Sequence, residues 1–116
     1  MKNKKLFLTL LLVLCSGIMM AQAPQAMTLQ AVVRTPQGDL AVSQNVSLQI
    51  SILQGSANGS AVYVENLSGK TNANGLMTLE IGAGTAVSGD FSTIDWADGP
   101  YFLKTETDPD GGTNYT

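Results

Sequence analysis

The chain has 116 residues, with 6 Lys+Arg, 9 Asp+Glu, no His and one Cys, and 44% of it is hydrophobic. That length holds a single domain. Once Lys2, Lys4 and Lys5 are set aside with the leader described next, three cations stand against nine carboxylates, a net charge of −6, so the footprint for nucleic acid or an anionic membrane is missing. With no His, and no Cys beyond position 15, the commonest metal sites and the Ser-His and Cys-His nucleophile systems are excluded by inventory.

Residues 1–23 have three zones: a positively charged start, an apolar run over 6–20 (LFLTLLLVLCSGIMM), and the small residues Ala21-Gln22-Ala23. This is the layout of a secretory signal peptide, and the run is short for a membrane anchor. Cleavage is expected after Ala21 or after Ala23. The second bond leaves Pro24 at the new N-terminus, which favours the first. Cys15 is preceded by Leu14 rather than by a small residue, and the apolar run continues past it. It therefore reads as part of the leader, not as a lipidation site. The product is expected to be a secreted or cell-surface protein whose domain spans 24–116, with no membrane span and no disulfide, so its core must hold it together unaided.

From residue 27 the hydrophobic period is two, the period of a strand with one buried face. Leu29, Ala31 and Val33 alternate with Gln30 and Arg34; Val46, Leu48, Ile50 and Ile52 alternate with Ser47, Gln49 and Ser51. Val62 and Val64 face one way, with Tyr63 and Glu65 on the other, wet face. Met77, Leu79 and Ile81 alternate with Thr78 and Glu80, and Tyr101, Leu103 and Thr105 alternate with Lys104 and Glu106. The separators fit: a Pro36-Gln37-Gly38-Asp39 turn between the first two strands, a GSANGS loop over 55–60, and Asn72-Ala73-Asn74-Gly75, which predicts a tight hairpin with two positive-φ residues. Residues 83–95 predict a long connection laying Val87, Phe91 and Ile94 over one end of the core, with Trp96 beside them. These five strands predict an all-β fold, a small antiparallel β-sandwich. The chain ends four residues after the turn at 108–112. The sequence therefore predicts a domain cut before its last strand, or one completed by a strand from another chain.

The chemistry on offer is thin. Asp108 and Asp110 flank Pro109, and Asp95 and Asp98 lie nearby, oxygen ligands of the kind Ca²⁺ uses. The rest of a calcium loop does not follow, and Asp in such turns ordinarily accepts backbone N–H groups. Carboxylate pairs for glycoside hydrolysis lack a cleft in so small a domain. Lys70 and Lys104 sit in polar settings with no cause to lose a proton. No enzyme activity, cofactor or metal is expected. Tyr63, Trp96 and Phe102 are the aromatic candidates for contact with a ligand, either a sugar or a protein.

Several runs together resemble a known kind of module: Leu29-Gln30-Ala31-Val32-Val33-Arg34, Ser51-Ile52-Leu53-Gln54-Gly55-Ser56, Thr71-Asn72-Ala73-Asn74-Gly75-Leu76, Ile94-Asp95-Trp96, Gly99-Pro100-Tyr101-Phe102-Leu103-Lys104 and Gly111-Gly112-Thr113-Asn114-Tyr115. Over 22–116 the chain is similar to an N-terminal module of secreted bacterial surface proteins of the stalk, collagen-like or tail-fibre-like type. More distantly it resembles transthyretin-like and bacterial Ig-like domains, through the stretch Thr71 to Met77. Met27 and Thr28 depart from that pattern, where aromatic residues or Asn are common. The resemblance implies a non-enzymatic structural or adhesive module, set ahead of further segments and meeting protein or glycan partners at the cell surface. Alternatives are a carbohydrate-binding module and a pilin-like subunit completed by a strand from another chain. The sequons beginning at Asn45, Asn58, Asn66 and Asn114 read as by-products of a polar surface.

Overall fold

The computed structural model describes residues 26–116; the expected signal peptide, both candidate cleavage bonds and Cys15 lie outside the described residues. The fold is all-β. Six strands run in chain order: β1 (Met27–Val32), β2 (Asn45–Gln54), β3 (Ser60–Lys70), β4 (Leu76–Ile81), β5 (Thr85–Ser88) and β6 (Tyr101–Asp108). Short 3-10 turns at Phe91–Thr93 and Trp96–Asp98 separate the last two. β1 and β4 form one antiparallel sheet, and β5-β3-β2-β6 form the other.

β2 is the centre of the molecule because it is the most aliphatic strand and has partners on both sides. Val46, Leu48, Ile50 and Ile52 are buried, as their alternation predicts, but Ser47 and Ser51, expected on a wet face, are buried as well. Each aliphatic side chain contributes about 1.5–3 kcal/mol of transfer free energy. These aliphatics meet Met77, Leu79 and Ile81 of β4 in one cluster that also takes in Val33, Ala41, Tyr63 and Phe91. The two sheets therefore share a single core.

The phase of β3 differs from the expectation. Pairing sets Tyr63 opposite Ile52 and Glu65 opposite Ile50, so Tyr63 and Glu65 are the inward residues. Tyr63 is 2% exposed and Glu65 is 0% exposed. A valine-rich strand can present either face; the register with β2 decides which. The buried carboxylate has partners: the Tyr63 hydroxyl donates to Glu65 Oε2, and the Gly82 N–H donates to Oε1 at 2.8 Å and Oε2 at 3.1 Å. Burial and the neighbouring carboxylate push the Tyr63 phenol well above its ordinary pKa. This group ties β3 to the turn that follows β4.

The turns are corrected too. Pro36-Gln37-Gly38-Asp39 does turn, closed by the Thr35 N–H on Asp39 O at 2.8 Å and an Arg34–Leu40 bridge. It does not pair β1 with β2, which lie in different sheets. Residues 72–75 likewise carry the chain from one sheet to the other and make no hairpin. Only Gly75 there has positive φ, at 75°. Asn72 Oδ1 accepts the N–H groups of Asn74 at 2.8 Å and Leu76 at 3.1 Å, so a side chain closes the turn that two left-handed residues were expected to close. Residues 83–95 are no bare connection: Thr85–Ser88 forms β5 on the outer edge of β3, and Val87 is exposed. Phe91 and Ile94 do pack on the core.

Candidate functional site

The Trp96 end of the molecule gathers most of the aromatic side chains. Tyr63, Phe91, Trp96 and Tyr101 form a chain of edge-to-face contacts with ring centroids 5.5, 5.7 and 5.2 Å apart. Such pairs add about 0.5–1.5 kcal/mol each beyond the area they bury. The short turns place them. Asp90 caps the first through the Ser92 N–H at 3.0 Å, and Asp95 caps the second through the Ala97 N–H at 3.2 Å. The Tyr101 hydroxyl donates to Asp95 O at 2.6 Å, and desolvation together with Asp98 and Asp95 raises its pKa.

The stack runs from the core to solvent. Tyr63, expected on a wet face, is instead its buried inner end and offers no ligand surface. Trp96 is 47% exposed and Phe102 39% exposed. These two share an apolar surface with Met27, Ile52, Tyr101 and Leu103 around a cavity of about 180 Å³. Sequence alternation puts Leu103 on the inward face of β6, and it faces that way, opposite Ile52. It is nonetheless 44% exposed, with Met27 of β1 and Trp96 beside it in the wall of that cavity. Met27, Tyr101 and Leu103 are members that the sequence does not mark as contact residues. A polar hollow of about 250 Å³ adjoins them, with Gln54, Asp90, Asp95, Asp98 and Tyr101 in its wall.

Of the aspartates considered for calcium, Asp95 and Asp108 accept backbone N–H groups and Asp98 accepts from a side chain. Asp108 is buried; its Oδ1 accepts the Asp110 N–H and its Oδ2 the Asn114 N–H, both at 3.0 Å. Asp98 Oδ2 accepts from Gln54 Nε2 at 3.3 Å. Asp110 has its carboxylate on the exposed side of the same turn. Among the described residues no group of three His, Cys, Asp or Glu side chains is placed to hold a metal ion, and no helix is long and apolar enough to cross a membrane.

The amides around Asp108 hold its pKa below the ordinary carboxylate value. Its folded state then binds fewer protons than the unfolded chain. The stabilisation is complete above the unfolded pKa, about 3.9, and is lost as pH falls through the lowered value. Asp90, held down by the Ser92 hydroxyl and N–H, acts in the same window. The melting temperature is expected to fall on acidification below about pH 4, and Asp108→Asn is expected to flatten that limb while lowering stability at neutral pH. Parallel acid limbs in parent and variant would refute the assignment.

No curated protein and no solved structure matches the chain. Residues 28–116 match the model of a domain family of unknown function, DUF8740, and the chain belongs to that family.

Proposed function

We propose that this protein is a non-enzymatic, extracellular structural or adhesive module: an Ig-like or transthyretin-like β-sandwich, exported by its leader and working within a larger surface protein through contact with other polypeptides. The observation that carries this reading is the contiguous apolar surface of Met27, Trp96, Phe102 and Leu103 beside the free edge of β6. Isolated exposed apolar side chains are ordinary, but several grouped on one edge mark a contact surface. Support also comes from a surface rich in Ser, Thr, Asn and Gly and from carboxylates spent on turns. Expression of the full chain in a bacterial host, followed by fractionation, tests the location. Recovery of the processed protein in the extracellular or surface fraction is expected, and retention in the cytoplasm would refute it.

A carbohydrate-binding role is the second reading, favoured by the half-exposed Trp96 next to the polar hollow of Gln54, Asp95 and Asp98. A glycan array separates the two. An absence of glycan signal is expected for the protein-contact module. Specific binding that disappears in Trp96→Ala or Phe102→Ala would replace it with sugar recognition.

A further inference from the structure

The outer edge of β6 has a definite phase. Thr107 and Thr116 exchange both of their backbone hydrogen bonds, Thr107 N–H to Thr116 O at 3.0 Å and Thr116 N–H to Thr107 O at 3.1 Å. The backbone groups of Thr107 thus point away from β2. Ladder bonding has a period of two, so those of Thr105, Leu103 and Tyr101 point the same way, and among the described residues no strand meets them. The same three residues carry their side chains on the inward face, opposite Ile50, Ile52 and Gln54.

Beneath this edge the gap between β1 and β6 is open and apolar. One cavity, about 230 Å³, lies under the Thr105–Thr107 end against Leu29, Ala31, Val33 and Leu48, with Arg34, whose guanidinium donates to Gly38 O, also in its wall. The second, at Met27, Ile52, Trp96 and Leu103, lies under the other end. In a chain with nine carboxylates, none lines either cavity. Among the described residues β1 pairs with no strand but β4, which leaves its outer edge open there.

We infer that this cleft is an acceptor groove for an extended segment of another polypeptide, one that runs antiparallel to β6 and carries uncharged apolar side chains at alternate positions. The Thr107–Thr116 pair fixes direction and phase. The incoming residues opposite Thr105, Leu103 and Tyr101 form the closely bonded pairs, and their side chains enter the two cavities. Main-chain bonds supply affinity, and the cavities supply the preference for alternating branched aliphatics. This rests on the contact-module reading and names its partner.

Trp96 is the sole tryptophan of the chain and borders the groove, so its emission reports occupancy. The probe is a blocked heptapeptide with valine at every second position and threonine between, titrated into the processed protein. Expected are a saturable shift of emission to shorter wavelength and slowing of Leu103 and Thr105 amide exchange by about tenfold or more. The same peptide with N-methylvaline, which cannot donate to β6, is expected to give neither. Leu103→Pro removes one outward N–H and leaves the β2 ladder intact, so it is expected to abolish binding with circular dichroism unchanged. No shift with the valine peptide overturns the inference, and so does equal binding of the N-methyl peptide. Protection of Leu103 and Thr105 that instead follows protein concentration, with a dimer in sedimentation, overturns it in favour of a second copy. None of these results bears on the fractionation and glycan experiments, which decide the broader reading separately.

Discussion

Glu65→Ala is expected to be among the most damaging single substitutions in the domain, at about 3–5 kcal/mol of folding stability. The side chain is fully buried, and its removal does three things together. It leaves the Tyr63 hydroxyl without its acceptor, it orphans the Gly82 N–H, and it opens a void opposite Ile50. Domains of this size have about 5–15 kcal/mol in total, so the variant stands near the edge of unfolding. The buried carboxylate need not be a net source of stability, however. The double variant Tyr63→Phe/Glu65→Leu removes donor and acceptor together and fills the space, leaving only the Gly82 N–H unpaired at about 1–3 kcal/mol. Urea denaturation should rank parent first, the double variant second and Glu65→Ala last. A Glu65→Ala protein within about 1 kcal/mol of the parent would mean that the carboxylate is not held as described.

The second large effect is expected at Phe91. Phe91→Ala should cost about 3–5 kcal/mol, the range for a large buried aromatic. Phe91 touches both Tyr63 and Trp96, so its loss breaks the aromatic chain in the middle and detaches the Trp96–Asp98 turn from the core. Trp96→Ala removes a half-exposed ring at the outer end and is expected to cost clearly less. Near-ultraviolet circular dichroism with urea titration measures both. The opposite ranking would show that the surface end, rather than Phe91, anchors this region. The comparison also bears on the groove, because its Trp96 wall stays in place only while Phe91 supports it.

Much of the fold is legible in the residues, and the limit has a physical cause. Val46 to Ile52 announce a strand and its inward aliphatics because alternation with Ser and Gln fits one periodicity, though not that Ser47 and Ser51 are buried too; Met77 to Ile81 announce a half-buried one. β3 is ambiguous: Val62 and Val64 look apolar, yet the inward pair is Tyr63 and Glu65, whose polar atoms satisfy one another only once Gly82 is brought near. That closure is tertiary and leaves no local mark. Turn chemistry has the same limit. Pro36–Asp39 and Asn72–Gly75 say where the chain reverses, but not that each reversal carries it to the other sheet. Of the candidate contact residues, Trp96 and Phe102 are legible in the sequence as aromatics near the end of the chain. Leu103 is not, because its period places it inward, and only the packing of the two sheets shows that it stays half exposed. Asp108 was read in both of its possible guises, and the turn amides are what it serves here.

The central place of β2 has a kinetic consequence. One neighbour, β3, follows after a short loop, so that hairpin can zip as soon as both strands exist. The other neighbour, β6, is separated from it by everything in between, and its closure is entropically slow. Until Tyr101–Asp108 is free to dock, Val46 to Ile52 lack half their cover. The polypeptide therefore remains an unfinished, sticky intermediate for as long as that segment is held back by a ribosome.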